Sequence, residues 1–385
     1  MMRASAFVTS LVAALGLLAC TRKDTPAPDA PSGPSLIPNA VAAPATPAES
    51  KATDAGASAL ARFVGRWVPE PSGDGMRCAW SGSYVVGRFE GTSISARIKD
   101  EGHNLFQVVI DGEPKKVLKT DKAKGASTYL LADGLPHGVH EVSLHRRTEA
   151  KVGEVVFYGF EADGGTMLPP PPAPERRIET IGDSISTGYG NEGPGPRCTY
   201  VNSQQNEYLT YGAITARNLG ADHTTIAWSG KTIHEMTEYF DDALPGRPDG
   251  PRWDFSQYQP QVVVINLGTN NFALRDPGEA KFVRLYHELV RTVRAAYPNA
   301  FLVCALGPML SNVYPEKRNN LTKARQYMKA AVAKLKEAGD TNLEFLEFPE
   351  QKHSNGLGCG FHPSVKTHQL MADQLTAFIK ERMGW

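Results

Sequence analysis

The chain has 385 residues, enough for two domains once a tail is set aside. Its 41 basic and 41 acidic side chains balance to a formal net charge of +0, which argues against a polyanionic partner, so no nucleic acid is expected. A hydrophobic content of 41% and a charged content of 21% are those of an ordinary globular protein, leaving neutral sugars, small esters and uncharged polymers open as substrates.

In chain order, residues 1–20 read as an export signal. Arg3 supplies the positive start, Ala6 to Leu18 form an apolar core too short for a comfortable membrane span, and Leu17-Leu18-Ala19-Cys20 closes it. That ending resembles a bacterial lipobox, which implies cleavage before Cys20, lipidation of Cys20 and anchoring on a membrane. The expected location is therefore the bacterial cell envelope, with plain secretion as the alternative. From residue 21 to about 60 the composition turns to Pro, Ala, Ser and Thr, which cannot bury a core and reads as a disordered tether. Of the 5 cysteines, four follow the leader, at Cys78, Cys198, Cys304 and Cys359. They contain no CxxC spacing, so neither a structural zinc site nor any other metal is expected.

Residues 61–165 carry closely spaced strand patterns: Tyr84 to Glu90, Ser93 to Ile98, Leu105 to Ile110, His140 to Arg147 and Val152 to Phe160. Asp111-Gly112 is a hairpin signal between two of them. The pattern predicts a smaller β-sandwich of jelly-roll type. Thr166 to Pro174, with five prolines, reads as a stiff linker.

From residue 175 to 385 strands and helices alternate. Strands are predicted at Arg177 to Ile181, Thr224 to Ala227, Gln261 to Asn266, Ala300 to Leu306 and Leu343 to Phe348. Helices are predicted at Tyr211 to Leu219, Thr232 to Ala243, Glu279 to Ala296, Asn319 to Ala338 and Pro363 to Met383. The fold class is thus α/β, a parallel sheet flanked by helices and preceded by the sandwich. Functional loops should lie at the carboxyl ends of its strands.

Four residues at those ends stand out. Ser184 sits at a sharp glycine-rich turn after a strand, where a hydroxyl is exposed as a nucleophile. His362, just before the last helix, is the natural base. Gly230 offers a backbone N–H that can approach an oxyanion closely, and Asn270 offers a side-chain amide donor. Ser184, Gly230, Asn270 and His362 in that order resemble the SGNH (GDSL) hydrolase superfamily. Gly190-Asn191-Glu192-Gly193, Cys198, Tyr211-Gly212-Ala213, Ala227-Trp228-Ser229-Gly230-Lys231 and His362-Pro363-Ser364 with His368 resemble carbohydrate esterase family 2, whose members carry a β-sandwich ahead of the hydrolase domain.

The resemblance implies a cofactor-free serine esterase that removes O-acetyl groups from polysaccharides such as xylan or glucomannan, with Ser184, Gly230 and Asn270 as the oxyanion hole. Two alternatives stand beside it. One is a GDSL-type esterase acting on a lipid, aryl ester or thioester, and the other is a catalytically silent carbohydrate-binding surface protein. The superfamily pattern often places an aspartate two or three residues before the histidine, and here Gly360 and Cys359 stand there. A Ser184–His362 dyad is therefore expected, with a backbone carbonyl between Ser354 and Gly360 accepting the imidazole N–H; Glu347, Glu350 and Asp183 are the places for a displaced acid. Asn271 follows Asn270 where the superfamily often has aspartate. Asp183 is expected to hold the turn, His368 to pack or cap, His353 to lie exposed and Trp228 to join the core. Cys198 and Cys359 lie in loops expected at one end of the sheet, where a disulfide would pin the rim of the site.

Overall fold

The structure is a computed structural model, which describes residues 60–247 and 249–385. The expected signal, Cys20 and the expected tether lie outside the described residues, apart from the tether's last position, Leu60.

The first layer is a two-sheet antiparallel sandwich. Its strands are β1 (Ala61–Val64), β2 (Trp67–Pro69), β3 (Met76–Cys78), β4 (Tyr84–Gly91), β5 (Ile94–Asp100), β6 (Leu105–Ile110), β7 (Glu113–Lys119), β8 (Ser127–Ala132), β9 (Gly138–Arg146), β10 (Val155–Glu161) and β11 (Thr166–Leu168). One sheet runs β1-β4-β9-β6-β7, with β11 also on β4, and the other runs β2-β3-β10-β5-β8. Phe89, Ile98, Phe106, Val108, Val142, Leu144, Val155 and Phe157 fill the space between the sheets. Asp111 and Gly112, at φ 53° and 78°, form the left-handed turn that joins β6 to β7. The linker expectation needs correction at its start. Thr166, Met167 and Leu168 precede the prolines and pair with Glu90, Phe89 and Arg88, just past the stretch of β4 that pairs with β1. The sandwich therefore ends at Leu168 rather than at 165.

The second layer is a five-stranded parallel sheet of β12 (Arg176–Gly182), β13 (Ala221–Ala227), β14 (Val262–Asn266), β15 (Phe301–Leu306) and β16 (Leu343–Glu347), ordered β13-β12-β14-β15-β16. Its helices are α1 (Ser184–Thr187), α2 (Tyr211–Asn218), α3 (Ile233–Tyr239), α4 (Glu279–Ala296), α5 (Asn320–Glu337) and α6 (Val365–Met383). Strand β14 shows why its run is apolar throughout. Val263 and Ile265 pack with α3, α4 and α5, whereas Val262 and Val264 pack with α2 and α6 on the other face.

The sandwich docks firmly on this layer. Val64, Tyr84 and Val86 pack against Ala243, Trp253 and Tyr258. Tyr84 Oη donates to Asp222 Oδ1 at 2.6 Å, and Arg62 pairs with Asp222 Oδ2 at 2.7 Å. Arg66 is buried with its guanidinium 5.4–5.9 Å from the rings of Trp80, Phe240, Trp253 and Phe255.

Candidate active site

Ser184 is separated from the end of β12 by one residue and opens the single turn α1. Asp183 caps that turn, its Oδ1 accepting the Ile185 N–H at 3.0 Å. Strand β12 is the second strand of the sheet, flanked by β13 and β14, so the loops that carry Ser184, Gly230 and Asn270 leave adjacent strands at one edge.

His362 reaches this edge from the loop before α6. Its Nε2 lies 2.8 Å from Ser184 Oγ, and its Nδ1 lies 3.0 Å from the carbonyl oxygen of Cys359. These contacts require Nδ1 to carry the proton, leaving Nε2 free to accept one from serine. The carbonyl serves because an unpaired buried donor costs about 1–3 kcal/mol.

That carbonyl is itself held in place. Cys359 is joined to Cys198 by a disulfide with a Cα–Cα distance of 5.2 Å. Its N–H donates to Gly190 O at 3.0 Å, while Gly360 N donates to Pro196 O at 3.0 Å. The two loops touch backbone to backbone, and a Cβ on Gly358 would stand 2.2 Å from Gly190 O.

None of the three carboxylates expected as a displaced acid makes a hydrogen bond or ion pair with His362. Glu347 receives both arms of Arg325 at 2.6 Å. Glu350 is exposed. Asp183 is buried, engaged with the Ile185 N–H and 3.3 Å from Asn270 Nδ2. Amide substitution at Glu347, Glu350 or Asp183 should accordingly leave kcat within about tenfold, whereas loss of a triad acid costs about 10⁴-fold in a serine protease. A fall of that size at one of them, with an unchanged circular dichroism spectrum, would mean that the histidine relies on that acid.

A neutral carbonyl also leaves the imidazolium poorly supported. Burial pushes the His362 pKa down to about 4; the Cys359 and Gly360 backbone oppose that shift, and the Lys151 ammonium adds to it. Only neutral His362 can take the serine proton. The acid limb of kcat/KM should therefore appear as pH falls through about 4, not through about 6.5 where an ordinary histidine titrates. A limb at 6.5 or higher would point to a carboxylate facing the ring.

Gly230 has φ 83°, a backbone that L side chains rarely adopt, and no atom stands within 4 Å of where its Cβ would be. Glycine is needed here for its conformation rather than for space. Asn270 Nδ2 donates to Lys231 O at 2.9 Å and, more weakly, to Asp183 Oδ2 at 3.3 Å. Asn271 Oδ1 accepts the N–H of Ile233, so this asparagine ties the loop to α3. His368 is buried in α6, with Nδ1 accepting the Tyr211 N–H at 3.3 Å. His353 is exposed. Trp228 is half-buried against the core and lies 5.0 Å from Tyr239. Among the described residues, no group of three or more His, Cys, Asp or Glu side chains is placed to hold a metal ion.

The neighbours that sequence reasoning missed come from the sandwich and the glycine-rich loop. Glu149 accepts the Ser229 N–H, and Lys151 lies over the rings of Tyr189 and Tyr200. The Tyr189 ring is 4.7 Å from that of His362. Nothing local marks Glu149 or Lys151, which follow an ordinary strand, and only the fold brings them to the site.

A serine–imidazole pair at the carboxyl edge of a parallel sheet in this order is the arrangement of the GDSL-like hydrolases. Residues 180–370 match the GDSL-like Lipase/Acylhydrolase family, and residues 63–172 match the carbohydrate esterase 2 N-terminal family. The chain is 43% identical over 321 residues to cellulase/esterase CelE of Acetivibrio thermocellus, covering 81% of this chain but only 38% of that relative's length. It is 25% identical over 309 residues to an acetylxylan esterase / glucomannan deacetylase of Cellvibrio japonicus, covering 77% of this chain and 81% of the relative. Among solved structures, it resembles a family two carbohydrate esterase from Clostridium thermocellum in complex with cellohexaose. That likeness has 42% identity and a TM-score of 0.79, over 84% of this chain and 99% of the other. The chain belongs to carbohydrate esterase family 2.

Proposed function

We propose that the protein is a serine esterase that removes O-acetyl groups from a polysaccharide of the xylan or glucomannan kind. The observation that carries this reading is the 2.8 Å contact between Ser184 Oγ and His362 Nε2, with Nδ1 fixed on the Cys359 carbonyl. The names of the Cellvibrio relative and the cellohexaose complex support the substrate class.

In the proposed reaction His362 Nε2 takes the Ser184 proton as Oγ attacks the acetyl carbon. The carbonyl oxygen becomes negative among the N–H groups of Ser184 and Gly230 and the Asn270 amide. The bond to the sugar oxygen breaks, and the imidazolium returns its proton to that oxygen. Water, deprotonated by His362, then attacks the acetyl-serine; the bond to Ser184 Oγ breaks, the imidazolium returns the proton to Oγ, and acetate leaves.

The test is acetate release from acetylated xylan and acetylated glucomannan, with 4-nitrophenyl acetate as a general ester. Release from neither polymer, alongside rapid nitrophenol release, would remove the polysaccharide from the proposal. One feature favours a second reading, an ester with a longer acyl chain. A hollow of about 630 Å³ beside the site is lined by Met309, Val313, Tyr314, Leu357 and Phe361, among others. Faster turnover of 4-nitrophenyl octanoate than of the acetate would favour that reading.

We further propose that the protein is held at a membrane surface of the cell envelope through acyl chains on Cys20. The support is the leader itself, with Arg3, the apolar core and Leu17-Leu18-Ala19-Cys20. Cys20→Ala should move the protein from the membrane fraction to the soluble fraction. A variant that still sediments with membranes would end this proposal.

A further inference from the structure

The sandwich meets the reacting groups through the turn between β9 and β10. Glu149 stands there with no exposed surface, and its Oε2 accepts the N–H of Ser229 at 2.7 Å. Ser229 immediately precedes Gly230, so this bond fixes the peptide that leads into the expected oxyanion donor. The other carboxylate oxygen lies 2.7 Å from Lys151 Nζ. That ammonium lies 4.9 Å from the Tyr189 ring centroid and 5.4 Å from that of Tyr200, rings that stack on each other at 4.0 Å. Tyr189 in turn packs on His362. One turn of the sandwich thus touches both arms of the site, the Gly230 loop through Glu149 and the His362 ring through Lys151 and Tyr189.

Burying a carboxylate is costly unless it is paired and hydrogen-bonded. The partners of the Glu149 side chain are Ser229, in the hydrolase layer, and Lys151, in its own turn. An acceptor for one N–H could be neutral if it served packing alone. A carboxylate holds that N–H more tightly and shortens the bond. Left bare, the same charge would oppose the negative oxygen that forms nearby in a low-dielectric site, and the Lys151 ammonium cancels it.

We propose that Glu149 is a positioning residue for ester hydrolysis: the sandwich uses its carboxylate to set the Gly230 N–H, and uses Lys151 to neutralise that carboxylate. This inference rests on reading Gly230 as an oxyanion donor in an esterase.

The test is steady-state hydrolysis of 4-nitrophenyl acetate by the full chain. Glu149→Ala should lower kcat about 10- to 100-fold, less than loss of an oxyanion donor itself, with KM within about twofold. Glu149→Gln keeps a neutral, weaker acceptor for Ser229 and should recover part of that loss; a kcat no higher than that of Glu149→Ala overturns the proposal. A purely structural residue would lower the melting temperature and leave kcat per folded molecule alone. Kcat within twofold of wild type in Glu149→Ala, or a loss carried by KM, overturns the proposal. Should Glu149→Ala fail to fold, Lys151→Met is measured in the wild-type and Glu149→Gln backgrounds. Lys151→Met should cost kcat at least fivefold more where the bare carboxylate is present, and equal costs in both backgrounds overturn the proposal. Because every rate is read against wild type, an inactive wild-type protein overturns the esterase reading and this inference together. An active wild type with an indifferent Glu149 overturns this inference alone.

Discussion

Ser184→Ala should lower kcat by several orders of magnitude and leave the fold intact. The change removes one oxygen, Oγ, whose partner is His362 Nε2. The backbone contacts of the turn remain, because the Ser184 carbonyl still accepts the Thr187 hydroxyl and the Tyr189 N–H. Alanine also suits the first position of a helical turn. His362→Ala should cost about as much, and the double variant little more than either, because nucleophile and base act as one unit; in a serine protease such a loss is about 10⁶-fold. Donors at the oxyanion hole would still give some acceleration over water. Retention of more than about a tenth of wild-type kcat by Ser184→Ala, or additive losses in the double variant, would show that another group performs the attack.

The hydrolase layer was legible in the sequence because its signals are local. Val262 to Asn266 is apolar throughout because both faces are covered, and Glu279 to Ala296 carries one apolar stripe, with Phe282, Val283, Tyr286, Leu289, Val290 and Val293 buried. What was missed has more than one cause, and only part of it depends on partners far away in sequence. Strand β7 is an edge of largely exposed residues, rich in lysine and carrying Pro114, so its pattern does not alternate. Helix α3 ends at Tyr239 rather than at Ala243. Beyond it the carbonyls of Phe240 and Asp242 accept the buried guanidinium of Arg66 from the sandwich, a cap supplied by another layer. The last helix begins at Val365 because Ser364 caps it, its Oγ accepting the Thr367 N–H, which leaves Pro363 outside rather than in the first turn. The four residues singled out for chemistry were visible as motifs. Glu149 and Lys151 were not, since they follow a strand without a motif and meet the site only through docking of the sandwich.

Asn270→Ala should lower kcat about 10²–10³-fold and leave KM nearly unchanged, the signature of a donor that acts mainly in the transition state. Its amide nitrogen donates strongly to Lys231 O and weakly to Asp183 Oδ2. The weaker bond is the one an oxyanion would replace. Burial pushes the Asp183 carboxyl up to about 7, so near neutral pH it spends much of its time protonated. A protonated acid releases the amide hydrogen at lower cost than a carboxylate would, and it puts no negative charge beside the oxygen that becomes negative. The Lys231 contact meanwhile keeps the amide plane fixed, so its direction is set before substrate arrives. An effect on KM alone would mean that Asn270 binds the ester in its ground state. A variant with unchanged kcat and KM but a lower melting temperature would leave Asn270 as a tie between the Lys231 loop and Asp183, with the oxyanion held by backbone N–H groups only.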